Sequence, residues 1–201
     1  MVPPWCERCG QPEPLFGLCR ICRDWPAALR LARPAVWLDG AARRAVHALK
    51  YGGLPRIADE LAEAVARVPL PPSARATAIL VPVPLGRRRL RTRGYNQSER
   101  LARGLARRWH RPVSELLVRA RETATQTALT PAARQANVAG AFAVAWGRGS
   151  DLSLPARTFV LVDDVFTTGA TLAAAARALE NAGARSIMAV TFGRAVIPDF
   201  T

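Results

Sequence analysis

Two adjacent carboxylates, Asp163 and Asp164, are followed closely by a turn of small, hydroxyl-bearing residues, Thr167-Thr168-Gly169-Ala170-Thr171. Paired acids can accept hydrogen bonds from sugar hydroxyls or hold a divalent ion. A turn of this composition offers hydroxyl donors and a glycine with free φ. It also offers the unpaired N–H groups of the helix it opens, which together suit a phosphate. The apolar run Phe159 to Val162 places the acids at the carboxyl end of a buried strand, the edge where open α/β sheets bind ligands. The helix after the turn, Leu172 to Glu180, is rich in alanine and stops at Asn181-Ala182-Gly183.

All four cysteines lie in the first 22 residues, as Cys6-x-x-Cys9 and Cys19-x-x-Cys22. Two such knuckles supply four thiolates in tetrahedral reach. That set favours structural zinc, with no position left open for catalysis. A rubredoxin-like iron site has the same spacing, and paired disulfides would need an oxidising compartment.

Charge is concentrated as well. The chain carries +14 over 201 residues, and twelve arginines against Glu99 and Glu115 fall between Leu85 and Arg121. Such a field draws polyanions, either a pyrophosphate at a site or the backbone of a nucleic acid. Arg87, Arg91 and Arg93 lie in a glycine-bounded basic stretch, Leu85 to Gly94, which reads as a loop after the strand 77–83. Asn96 reads as the N-cap of a helix Gln97 to Trp109, with Glu99 completing a capping-box-like start. Lys50, the only lysine among 28 arginines, reads as a solvated cation at a helix C-terminus.

These groups need a scaffold. Strands are expected near 77–83, 113–118, 141–145, 159–163 and 187–192, and helices over Gly40 to Lys50, Leu54 to Val68 and the two segments above. The alternation predicts a parallel sheet covered on both sides. Residues 24–37, rich in Pro, Ala and Arg, read as a connector. No stretch approaches the roughly 20 apolar residues that span a bilayer, and the N-terminus lacks the basic and apolar regions of a signal peptide, so a cytoplasmic location is expected.

The string VLVDDVFTTGAT resembles the signature of the type I phosphoribosyltransferases, which bind 5-phosphoribosyl 1-pyrophosphate. The resemblance implies that Asp163 and Asp164 contact the ribose 2′ and 3′ hydroxyls and that Thr167, Thr168, Gly169, Ala170 and Thr171 cradle the 5′-phosphate. It further implies magnesium with the ligand, and a pyrophosphate loop at Arg87 to Arg93. Five ordered motifs narrow it: CxxC…CxxC, Leu49-Lys50-Tyr51-Gly52-Gly53, VPVP followed by RTRGYNQ, Arg121-x-Thr123-x-x-Gln126 with Arg134-x-x-Asn137-x-x-Gly140-Ala141-Phe142, and VDDVFTTGAT. Together, from Cys6 to about Arg194, they are similar to the ComF family of bacterial competence proteins, associated with DNA uptake in natural transformation.

That resemblance implies an α/β fold, a type I phosphoribosyltransferase-like parallel sheet flanked by helices with a small N-terminal zinc-binding module. The expected division is 1–23 as a zinc ribbon, 24–75 as connector and helical segment, and 76–201 as the phosphoribosyltransferase-like domain. Thr123 and Gln126 become candidates for a loop over the substrate. Single-stranded DNA and the DNA-uptake machinery become candidate partners. Purine-salvage relatives carry an acid, able to act as general base, where this chain has Thr167. Binding is therefore expected more firmly than transfer, and no catalytic residue is assigned. Three readings follow: a DNA-handling protein, an active phosphoribosyltransferase acting on an amine or base, and a non-catalytic sensor of phosphoribosyl pyrophosphate.

Overall fold

A computed structural model describes residues 6–11, 19, 21–121, 138–145 and 154–195. Thr123, Gln126, Asn137 and the expected surface loop 147–151 lie outside the described residues.

Four parallel strands form the central sheet: β1 (Leu29–Trp37), β2 (Ala78–Pro82), β5 (Thr158–Phe166) and β6 (Ser186–Arg194), in the order β1-β6-β5-β2. Both faces are covered, which is why the strands read as nearly continuous apolar runs. Alternate residues serve opposite cores. Ile79, Val81, Phe159, Leu161, Ile187 and Ala189 pack with α6 (Ala170–Asn181) and with the cysteines. Leu80, Val160, Val162, Met188, Val190 and Phe192 pack with α1 (Gly40–Tyr51), α2 (Ile57–Ala66) and α5 (Gln97–Trp109). Two short helices, α3 (Pro72–Thr77) and α4 (Arg87–Arg93), flank β2.

Three expectations change. The stretch read as a connector contains β1, paired in parallel with β6 from Leu29↔Ile187 to Trp37↔Arg194. Its Pro34 and two arginines hid it, yet both are tolerated because β1 is the sheet's edge. The basic loop is the helix α4, ended by Gly94 at φ 80°, whose N–H reaches the Leu90 carbonyl. Finally, the strands expected near 113–118 and 141–145 do not enter the parallel sheet. They give β3 (Leu117–Arg119) and β4 (Phe142–Val144), an antiparallel pair of their own, while Val113 makes only an isolated bridge to Leu80. Ser114 and Glu115 interrupt the apolar run and Val118 is exposed, so this segment cannot line a sheet buried on both faces.

The helix expected over Gln97 to Trp109 has those bounds. Asn96 caps it, accepting from the Ser98 N–H at 3.1 Å while its own amide donates to the Val83 carbonyl at 3.0 Å. Glu99 does not complete the capping box; it pairs instead with Arg103 at 2.8 Å.

The cysteine segment packs onto this core. Arg8 donates to the carbonyls of Cys22, Pro26 and Leu29, the Ala28 N–H reaches Glu180, and Arg194 donates to the Cys9 carbonyl at 2.7 Å.

Candidate functional site

Strand β2 stops at Pro82, opposite Val162, whereas β5 continues beside β6 to Phe166. Asp163 and Asp164 therefore do not end their strand, as expected, but lie just beyond the point where its β2 neighbour has left. Both are buried, at 7% and 4% exposure. Asp163 Oδ1 accepts from the Ser98 hydroxyl at 2.8 Å and from the Asp164 N–H at 2.9 Å. The cap at Asn96 is what carries Ser98 to this place.

Asp164 Oδ2 meets the Lys50 ammonium at 2.5 Å and accepts no hydrogen bond from any other described residue. Lys50 is thus not the solvated cation the sequence suggested. Leu49 is fully buried against the sheet and its carbonyl accepts from the Tyr95 hydroxyl, so the end of α1 is fixed over the acids. Two signals were available: a lone lysine in an arginine-rich chain, and its place in the Leu49-Lys50-Tyr51-Gly52-Gly53 motif.

Burial, and then the neighbouring Asp164 charge, raises the Asp163 carboxyl to about 7. Burial works against ionisation of Asp164 too, but the ammonium outweighs it and holds this carboxyl below its ordinary value. Lys50 is held above its own despite burial, by Asp164. Near neutral pH the acids carry between one and two negative charges against one fixed ammonium. A divalent ion does not fit this pair as it stands, because it would enter beside the Lys50 ammonium on Asp164 Oδ2 and the Ser98 hydroxyl on Asp163 Oδ1.

The turn is built differently. Gly169 adopts φ 76° and forms the N-cap of α6, with no side-chain cap on the helix. A Cβ there would lie 2.8 Å from the Trp25 ring and 2.9 Å from the Phe166 ring. Those rings, 5.9 Å apart, form a floor beneath the turn, and the Arg194 guanidinium sits 4.3 Å from the Phe166 centroid. Thr167, Thr168 and Thr171 are partly exposed above it, and the Ala170 N–H has only a long 3.5 Å approach to the Thr168 hydroxyl. Donors at a helix N-terminus with a rigid backing suit an anion.

Of the arginines singled out, Arg93 comes to the site. It lies 5.4 Å from the Tyr51 ring, donates to Gln97 at 2.5 Å and adds positive potential at Asp164. Arg87 and Arg91, one helical turn apart, stand on the exposed face of α4. Part of the basic excess is neutralised by α2: Arg107 and Arg108 donate to Asp59 and lower its carboxyl to about 2.

The four sulfurs of Cys6, Cys9, Cys19 and Cys22 all lie within 4.8 Å of one another, with Cys6–Cys22 and Cys9–Cys19 at 3.5 Å. A tetrahedral zinc with Zn–S near 2.3 Å puts sulfurs about 3.8 Å apart, so a metal such as zinc fits the set. Burial pushes the Cys9 thiol up and the Cys22 thiol up to about 12, while Cys19, hydrogen-bonded by the backbone of Cys22 and Ile21, falls. A bound cation would offset the cost of the buried thiolates.

Comparison with known proteins adds to this geometry. The phosphoribosyl transferase domain family matches residues 93–195. The DNA utilization protein YhgH of Escherichia coli O6:H1 is 34% identical over 193 residues, covering 90% of this chain and 80% of that protein. Competence protein F of Haemophilus influenzae is 35% identical over 117 residues, 58% of this chain and 50% of its own length. Competence protein ComFC of Bacillus subtilis is 26% identical over 198 residues, 94% of this chain and 77% of its own.

The chain belongs to the ComF family. Its phosphoribosyltransferase-like match holds Arg93, Ser98, the acid pair and the turn, whereas Lys50, Trp25 and the cysteines precede it. In this ComF chain the site is therefore completed from outside the matched domain, by α1 beside the acids and by Trp25 beneath the turn. Among the described residues no helix is long and apolar enough to cross a membrane.

Proposed function

We propose that the chain binds 5-phosphoribosyl 1-pyrophosphate at the carboxyl edge of β5 and acts in the cytoplasm in the handling of incoming DNA. The observation that carries this reading is the uncapped N-terminus of α6, turned at Gly169 and following a buried acid pair on the same strand. The acids would accept from the ribose 2′ and 3′ hydroxyls, and the donors of Thr167 to Thr171 would take the 5′-phosphate. Arg93, with Arg87 and Arg91 earlier on the same helix α4, would face the pyrophosphate, and Thr123 and Gln126 would contact the ligand. Magnesium belongs in this reading to the diphosphate and not to the acid pair. Zinc in the four-cysteine set would be structural, holding the segment that backs the turn.

Thr167 stands in the turn where a general base would be needed, and a threonine hydroxyl does not serve as one near neutral pH. The reading is accordingly of binding first, with transfer to an amine or base as the activity that a base supplied elsewhere would add. A sensor that binds without turnover has the same pocket.

A second reading has its own support. The relatives are named for DNA utilization and competence, and Arg87 and Arg91 stand exposed on α4. Single-stranded DNA would run along that face by its phosphates. Calorimetry with phosphoribosyl pyrophosphate and magnesium, and fluorescence titration with single-stranded DNA, test the two on wild type, Asp163→Asn/Asp164→Asn and Arg87→Ala/Arg91→Ala. The acid variant should lose the sugar phosphate and keep DNA. The arginine variant should weaken DNA and reduce its salt slope by about one per arginine. DNA binding indifferent to salt would sink the second reading.

A further inference from the structure

The acid pair poses a question that phosphate binding leaves open, namely what neutralises it before a ligand arrives. The answer in the fold is a single side chain delivered with some care. Leu49 is buried and its carbonyl is held by Tyr95. On the next turn face Tyr51 is flanked by the His47 ring at 4.9 Å and the Arg93 guanidinium at 5.4 Å. Between these anchors Lys50 extends to Asp164 Oδ2 at 2.5 Å, with its side chain 23% exposed and that of the acid 5%. On the other side Ser98 donates to Asp163.

A magnesium or manganese ion needs carboxylate oxygens at about 2.0–2.2 Å and near-octahedral space. Here it would have to enter beside a fixed ammonium and within the field of Arg93. Two vicinal hydroxyls face no such repulsion, since they donate hydrogen bonds while remaining neutral. Among 29 basic residues this is the only one that is not arginine. An ammonium is a compact point charge that one carboxylate oxygen can hold, whereas a guanidinium demands a planar fork.

We infer that Lys50 stands in for a divalent cation at the acid pair: it neutralises Asp164 in the free protein, keeps divalent ions off, and leaves Asp164 when the hydroxyls of a sugar phosphate take its place. The ligand class that fits brings both a vicinal diol, to replace the ammonium, and a phosphate, for the turn at Gly169. Ribose 5-phosphate meets both conditions and 2-deoxyribose 5-phosphate meets only the second. The displacement rests on the sugar-phosphate reading above; the exclusion of divalent ions does not.

Because Lys50 is the only lysine, protein labelled with nitrogen-15 lysine gives one side-chain resonance to follow by NMR. Equimolar Mn2+ alone should leave that signal unbroadened, and ribose 5-phosphate should shift it while the deoxy sugar does not. By electron paramagnetic resonance, Lys50→Met should gain a Mn2+ site tighter than wild type by about tenfold or more, and Lys50→Met/Asp164→Asn should lose it again. Mn2+ that broadens the wild-type lysine signal, or binds wild type as tightly as Lys50→Met, overturns the exclusion. If Lys50→Met does not fold, the wild-type signal decides alone. A lysine signal unmoved by ribose 5-phosphate that calorimetry shows to be bound overturns the displacement. If no sugar phosphate binds, the proposed ligand fails instead, and Mn2+ still decides the exclusion.

Discussion

The acid pair and the phosphate-type turn are neighbours in sequence and are built in opposite ways. The turn is supported from beneath by Trp25, Phe166 and Arg194, and its three threonines are partly exposed. The acids are satisfied from above, by Lys50 and Ser98 from the helices on the other face of the sheet. On the sugar-phosphate reading, one half of the site is a turn already backed by rigid rings. The other is a closed charge pair that must be opened. Rigid donors cost nothing to organise at the moment of binding, while an ion pair in a buried setting resists exchange unless the newcomer supplies equivalent bonds.

Breaking the four-cysteine set should separate the two halves most strongly. Cys9→Ser takes one sulfur from a buried set of four and loosens the segment that ends in Trp25. A stability loss of at least about 3 kcal/mol is expected in denaturant melts, with inorganic phosphate binding lost before the Lys50–Asp164 pair. Equal loss of both halves would mean that the cysteine segment supports the whole sheet edge and not the turn.

Lys50→Met comes next. It leaves a buried carboxylate oxygen with no other partner, at a cost of about 2–3 kcal/mol, the pair being partly exposed on the lysine side. Adding Asp164→Asn should restore most of that loss, and a double variant as unstable as the single one would contradict the pairing.

Gly169→Ala probes the turn. A Cβ 2.8 Å from the Trp25 ring, on a backbone at φ 76°, should cost about 2 kcal/mol and weaken inorganic phosphate binding, with the Lys50 resonance unchanged.

The smallest effect is on pH dependence. Asp163 is raised to about 7 in the folded protein from about 3.9 unfolded, so the folded state binds the additional proton and stability falls as pH rises from about 4 to 7. Asp164, held low, acts oppositely: its contribution is present above its unfolded value and lost as pH falls through the folded one. Asp163→Asn keeps an oxygen for Ser98 and should gain on the order of 1–2 kcal/mol at pH 8 relative to pH 5. An unchanged pH profile would mean that Asp163 is ionised throughout.

Local chemistry was the legible part of this chain. The turn, the four cysteines and the Asn96 cap are each written in a few contiguous residues, and each stands where the sequence put it. What escaped was non-local. Strand β1 was hidden because an edge tolerates Pro34, and β3 with β4 because pairing partners are not visible from one strand's pattern. Helix α4 was masked by arginines with no apolar face to mark a period. Lys50 on Asp164 and Trp25 beneath Gly169 are contacts made only by the finished fold, and they complete both halves of the site.

Calorimetric titration of phosphoribosyl pyrophosphate with magnesium into wild type and into Asp163→Asn/Asp164→Asn tests the central claim most directly. One equivalent should bind wild type, with affinity at least about tenfold weaker in the variant. Equal affinity for the two proteins, or none for wild type, would contradict a sugar-phosphate site at the end of β5.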